Sequence, residues 1–242
     1  MGDEQPTVCR WYLIPSPLLG PSSWTGVAKE LEAAGQQVMV AETTMTTPAD
    51  TDHVSGWIEE LLAPPLPDDG LPVVVVGHSA ACPRLPLAAF ALHRAGWPVE
   101  AFICVDGRFP DGRPFTVSGP KLGEMLDGMV RPDDHLPPWP RWWGSLLEGL
   151  VIDPAARVAV FSEARPVPRA WFDQGCPVPD LPPAIGRGFL AFGVGYSESC
   201  DRAAAAGWTT YRMTGDHLHQ VVAPEAVAAA LQAIVVCIRS HT

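Results

Sequence analysis

The sequence predicts an α/β fold: a mainly parallel sheet of about six strands, flanked by helices and interrupted by one inserted segment. Three observations carry this. The first is Val73-Val74-Val75-Val76, four consecutive β-branched residues that read as a strand buried on both faces. The second is a repeat in which a helical stretch passes through Ala-Gly into a β-rich run, at Ala34-Gly35, Ala95-Gly96 and Ala206-Gly207. Gly just past a helix end, followed at once by a strand, is the signature of an αβ loop. The third is a break in that rhythm from Gly107 to about Arg187, where Pro and Trp cluster and only short helical patterns occur. The domain reading is a core of residues 1–106 and 188–242, with 107–187 as a cap inserted over the sheet.

The elements follow in order. Val8 to Ile14 reads as the first strand and 15–21 as a loop. Ser22 or Ser23 is placed to cap a helix carrying Trp24, Val27, Leu31 and Ala34 on one face. Val38 to Ala41 forms the next strand. Val54, Trp57, Ile58, Leu61 and Leu62 mark a second amphipathic helix, stopped by Pro64-Pro65. The four-valine strand leads into a helix over Leu85 to Ala95, with Pro83 and Pro86 early in it, where they bend it. Val99 to Val105 is a strand ending at Asp106. Inside the insert, helical patterns occur near Leu122 to Val130 and Trp142 to Leu150. Phe189 to Val194 resumes the sheet, Ser197 to Ala206 is a helix and Trp208 to Met213 a last strand. Val227, Leu231, Ile234, Val235 and Ile238 form the face of a closing helix.

Composition narrows the function classes. The chain has 242 residues, 47 % hydrophobic and 18 % charged, enough to bury a sizeable core. A net charge of −11 argues against nucleic acid or an anionic membrane as a partner, because a polyanion is repelled. The expected partner is a small-molecule substrate. The six Cys stand singly, without a C-x-x-C pair, so no metal is expected; no motif calls for a cofactor either. They read as reduced, buried thiols. Residues 1–6 are acidic and lack the apolar stretch of a signal peptide, and Ala226 to Ile238 is too short to span a bilayer. A cytoplasmic location is the resulting expectation.

The chemistry centres on Gly77-His78-Ser79-Ala80-Ala81. Strand, tight turn, Ser, helix is the context of the nucleophile elbow G-x-S-x-G, here with Ala81 in place of the last Gly. Small residues are needed on both sides of the Ser because the turn is too sharp for side chains near it. The competing reading is an ordinary N-cap Ser after a buried strand. A Ser hydroxyl becomes nucleophilic only when a His takes its proton and a carboxylate orients that His. Gly215-Asp216-His217-Leu218-His219 follows the last strand and offers two His.

Leu13 to Trp24, Gly77 to Ala81 and Gly215 to Pro224 together resemble the α/β-hydrolase superfamily, and within it the plant esterase and hydroxynitrile lyase group with its bacterial relatives. The resemblance covers the sheet and not the insert. It implies that His217 is the base, since an Asp-His pair with a Pro seven residues on matches Asp216-His217 and Pro224. His219 is left as a pocket-wall or surface residue. The group usually places its acid after the strand read as Phe189 to Val194, where the turn holds Glu198. Other members of the superfamily place it one strand earlier, where Asp106 stands. Asp106 is therefore the expected acid and Glu198 the alternative. The resemblance also aligns the oxyanion dipeptide with Pro15-Ser16 and the donor position with Pro17, which has no N–H. Ala80 N–H supplies one donor; Leu18 N–H or the Ser16 hydroxyl must supply the other. His78, Trp139 and Trp143 complete the expected substrate-binding set, although a Trp cluster serves packing as readily as binding.

The implied activity is hydrolysis of an ester or thioester of a small, largely apolar molecule through a Ser-His-acid triad. The altered oxyanion loop keeps open a lyase or cyclase of the same fold, in which the Ser-His pair moves protons during elimination or ring closure. A non-catalytic binding protein is the third possibility, weakened by the presence of both Ser79 and His217.

Overall fold

The computed structural model describes residues 8–44, 52–65, 68–115 and 120–241. The acidic residues 1–6 lie outside them. Six strands form one sheet: β1 (Arg10–Ile14), β2 (Gln37–Val40), β3 (Val73–His78), β4 (Val99–Val105), β7 (Gly186–Phe192) and β8 (Thr209–Met213). Their spatial order is β2-β1-β3-β4-β7-β8, and every neighbouring pair is parallel. β3 and β4 are the two central strands, so the residues that end them meet over the middle of the sheet's C-terminal edge.

The strands' period of two sorts their residues onto opposite faces. Trp11, Leu13, Val74, Val76, Ile103, Val105, Leu190 and Phe192 pack on one side against α1 (Thr25–Ala33) and the closing helix over Pro224–Arg239. Tyr12, Ile14, Val73, Val75, Phe102, Cys104 and Phe189 face the other side, covered by α2 (His53–Leu62) and α3 (Leu85–Arg94). Burial on both faces is why β3 reads as an unbroken apolar run and not as an alternation.

Between β4 and β7 the chain leaves the sheet. It forms α4 (Pro120–Asp127), a two-stranded antiparallel ribbon of β5 (His135–Leu136) with β6 (Val167–Pro168), α5 (Pro154–Ser162) and three 3₁₀ turns. After the excursion come α6 (Ser197–Ala205), the single turn α7 (His219–Val222) and α8 (Pro224–Arg239). Two buried Trp tie the excursion to the core: Trp57 of α2 meets Trp171 edge-on at 5.8 Å. Arg84, buried below the elbow, places its guanidinium 3.8 Å from the Trp171 ring and donates to the Trp171 carbonyl at 2.5 Å. Burial holds the Arg84 pKa down to about 10.

Several expectations are corrected. Neither Ser22 nor Ser23 caps α1. Pro21–Trp24 forms a 3₁₀ turn first, Ser23 Oγ donates to the Gly20 carbonyl, and the Ser22 backbone N–H and hydroxyl both donate to Glu163 of the excursion. A long-range carboxylate took the group a local cap would have used. Ala34 is exposed rather than on the buried face of α1. The stretch after Ser79 is 3₁₀ as far as Arg84, because Pro83 has no N–H to donate, and α3 starts only at Leu85. β7 begins at Gly186, three residues before Phe189. Its glycines hid it from a propensity reading, yet they are where α8 packs closest. A Cβ on Gly188 would lie 2.7 Å from Ile234. α5, the ribbon and α7 gave no clear periodic signal. Among the described residues, no helix is long and apolar enough to cross a membrane.

Candidate active site

The site grows out of the ends of β3 and β4. Ser79 follows β3 with φ of 55°, a left-handed conformation that a non-glycine residue holds only when its surroundings impose it. Gly77 and Ala81 clear the space this needs: a Cβ on Gly77 would lie 2.7 Å from Leu85 and 3.4 Å from the Ala81 methyl. Asp106 follows β4 with φ of 43°, and its N–H donates to the Leu190 carbonyl of β7 at 2.8 Å. Gly107 comes next. A Cβ there would stand 2.3 Å from the Ser79 carbonyl oxygen, so the two strand ends approach as closely as backbones allow.

His217 joins them from the loop after β8. Ser79 Oγ lies 2.9 Å from His217 Nε2, and His217 Nδ1 lies 2.7 Å from Asp106 Oδ2. A carboxylate only accepts, so Nδ1 carries the ring hydrogen and Nε2 is left to accept from the Ser79 hydroxyl. The other Asp106 oxygen accepts the Phe192 N–H at 2.7 Å. The carboxylate is 1 % exposed, with both oxygens paired.

The sequence-derived residues distribute as follows. Ser79, His217 and Asp106 are brought into one hydrogen-bonded chain. Glu198 is exposed on α6 and takes no part in that chain. His219 packs its ring against Phe192 at 5.5 Å, away from Ser79. Ser79, Ala80, Leu18, Trp139, Trp143 and His217 line one cavity of about 350 Å³. Ser16 and Pro17 do not line it. Ser16 is buried and its hydroxyl oxygen accepts the Leu18 N–H at 3.3 Å, while Pro17 borders a separate polar cleft with Glu42 and Arg165. His78 is not in the cavity wall either. Fully buried, its Nε2–H donates to the His217 carbonyl at 2.9 Å, and its ring meets Trp24 edge-on. Burial, reinforced by the neighbouring His217, holds the His78 pKa well below the usual imidazole range, so this ring stays neutral.

Most of the cavity wall escaped the sequence reading. Phe115, Leu122, Trp142, Leu147, Leu150 and Phe172 come from the excursion. Tyr196, from the turn between β7 and α6, sets its ring 5.4 Å from the His217 ring. Its only sequence signal was its place in the turn where the acid was first sought. Among the described residues, no cluster of His, Cys, Asp and Glu could hold a metal ion.

No family model matches the chain, and no curated protein matches it in sequence. Solved structures do match its shape. Methylketone Synthase I of tomato, in complex with 2-tridecanone, superposes with a TM-score of 0.69 over 96 % of this chain and 99 % of its own, at 14 % identity. Polyneuridine aldehyde esterase gives 0.66 over 94 % and 99 %, at 16 % identity. An extracellular α/β-hydrolase from a Paenibacillus species, described as sharing structural and functional homology with Tobacco Salicylic Acid Binding Protein 2, gives 0.66 over 92 % and 97 %, at 15 % identity. With the parallel six-stranded sheet and the sharp turn after its third strand, these matches establish that the chain has the α/β-hydrolase fold.

Proposed function

We propose that the protein is a serine hydrolase that cleaves an ester or thioester of a small, largely apolar molecule, bound beneath a cap formed by 107–187. The observation that carries this reading is the Ser79–His217–Asp106 hydrogen-bond chain opening onto a cavity with mostly aromatic and aliphatic walls. Ser79 Oγ attacks the carbonyl carbon while His217 Nε2 takes its proton. Asp106 holds the imidazole in the required tautomer and stabilises the imidazolium. The tetrahedral oxyanion is met by Ala80 N–H, which sits in the first turn after the elbow and has no intrahelical acceptor. The second donor is Leu18 N–H. Its bond to Ser16 Oγ is long, at 3.3 Å, and a charged oxygen competes well for it. Collapse expels the alcohol or thiol with the proton from His217. Water, deprotonated by His217, then releases the acid from Ser79.

A second reading stays open on one observation: Leu18 N–H is turned onto Ser16 and Pro17 has none, leaving Ala80 as the uncommitted backbone donor. A lyase or cyclase, in which Ser79 and His217 move protons without an acyl-enzyme, works with one donor. The fold match to a synthase as well as to esterases is compatible with it. A fluorophosphonate probe separates the readings. The hydrolase should be labelled at Ser79, as located by mass spectrometry, and should turn over a p-nitrophenyl ester. Labelling without turnover favours the lyase or cyclase, and neither favours a binding protein.

A further inference from the structure

Among the described residues, no Asp, Glu, Lys or Arg lines the cavity beside Ser79. A charged substrate would leave water there without a counter-charge, at a steep cost. Six of the lining side chains are aromatic: Phe115, Trp139, Trp142, Trp143, Phe172 and Tyr196. Flat rings on several sides suit a flat, uncharged molecule, because offset and edge contacts between rings add to simple burial.

Such a wall fixes what kind of molecule enters but not how it lies, which requires a directional polar group. The Ala80 N–H is the donor assigned above to the reacting oxygen, and two side-chain groups are committed within the protein. The Ser79 hydroxyl is bonded to His217, and Trp142 Nε1 already donates to the Pro137 carbonyl at 2.7 Å. Tyr196 differs. Among the described residues its hydroxyl has no hydrogen-bond partner, although its ring is wedged against the His217 imidazole. Tyr196 is half-buried and its hydroxyl is not sealed from the cavity, so a ligand oxygen can replace water as its acceptor. Burial, with Asp106 and Cys82 acting in the same direction, pushes its pKa well up, so it remains a donor at any physiological pH.

We propose that Tyr196 is a specificity-determining residue whose phenol O–H donates to an uncharged acceptor, a carbonyl or ether oxygen, on an aromatic substrate held between the Trp and Phe walls. This rests on the reading that the cavity is the substrate site. It does not depend on which reaction occurs there. The acceptor lies next to the base, because the phenol ring lies against His217.

The test reads binding rather than turnover. In the full chain carrying Ser79→Ala, quenching of Trp fluorescence gives Kd for two probes of the same outline, 2-acetylnaphthalene and 2-ethylnaphthalene. The ketone should bind about tenfold more tightly than the hydrocarbon. Adding Tyr196→Phe, which keeps the ring, should bring the two within about twofold of each other and leave the hydrocarbon's Kd unchanged. Equal binding in the parent overturns the proposal, as does binding of neither probe or a ketone preference that survives Tyr196→Phe. Weakened binding of both probes by Tyr196→Phe overturns it in favour of a packing role. Failure of the hydrolase reading is seen separately, as an unlabelled Ser79, and leaves a ketone preference lost with Tyr196→Phe standing.

Discussion

At the floor of the cavity, Ser79 and Asp106 hold positive-φ backbones, and Asp106 and His217 have their polar atoms paired. Along the walls, Phe115, Leu122, Leu147 and Phe172 present apolar surface with ordinary backbone geometry and no directional bonds. The floor is over-determined. Gly107 has no room for a Cβ against the Ser79 carbonyl, the Leu190 and Phe192 backbone atoms fix Asp106, and His78 holds the His217 carbonyl. The walls are held mainly by packing, with the Trp142 Nε1–H bond to the Pro137 carbonyl a directional exception. In the proposed hydrolase, such a division keeps the strained strand-end geometry constant while the aromatic walls set the fit.

Substitutions on the floor should therefore be far more damaging to rate than those on the walls. Ser79→Ala should lower kcat on an activated ester by about 10⁴-fold or more, and Asp106→Asn should approach that, since the amide favours the wrong His217 tautomer. Glu198→Gln should change kcat less than about twofold. Steady-state kinetics on the three variants checks this, and a large loss from Glu198→Gln with a small one from Asp106→Asn would break the assignment.

Gly107→Ala joins the floor to the fold. Its methyl would fall on the Ser79 carbonyl oxygen, so the elbow must shift. Stability should fall by about 1–3 kcal/mol, with loss of fluorophosphonate labelling. Denaturant titration alongside labelling measures both. Full labelling in this variant would mean the strand ends are not held as tightly as their contact implies.

A wall change should act differently. Trp139→Ala should raise KM by roughly tenfold with kcat within a few-fold of the parent, because it removes apolar contact felt equally by bound substrate and transition state. A fall confined to kcat would instead make Trp139 part of the floor; its ring does stand 6.1 Å from the His217 ring.

The smallest effect concerns pH. His78 is held neutral in the folded chain by burial, so its folded pKa lies below the unfolded value. The unfolded chain then binds the extra proton. Stability is full above about pH 6.5 and is lost as pH falls below it, by at most about 1.4 kcal/mol per pH unit. His78→Gln, which keeps a donor for the His217 carbonyl, should flatten that slope between about pH 6.5 and 5. Thermal melts across that range decide it, and an unchanged slope would assign the acid sensitivity to other groups.

The arrangement of Ser79, His217 and Asp106 was largely legible because the chemistry proposed for it demands particular residue types in a particular order. Small residues around Ser79, a strand before it and an Asp-Gly after the next strand leave few alternatives. The walls were not. An aromatic side chain that lines a cavity and one that fills a core have the same composition and spacing, so Phe115 and Phe172 carried no distinguishing mark. Ser16 shows a related blind spot. Its place in the loop suggested a substrate contact, whereas the fold buries it beneath the Leu18 N–H.

By itself the sequence determined what depends on near neighbours: the four-valine strand, the elbow, the glycine-ended helices, and the two His and two acids from which the proposed triad is drawn. These follow from side-chain period and turn chemistry, which act over a few residues. The tertiary structure decided what depends on strand order. β4 lies beside β3, so Asp106 reaches a His217 that is 111 positions away, and Glu198 on the helix after β7 does not. The same packing brought Tyr196 to the cavity wall and closed His78 out of it. Contacts between residues so far apart in the chain are set by which elements bury each other's apolar faces, and no local pattern encodes that choice.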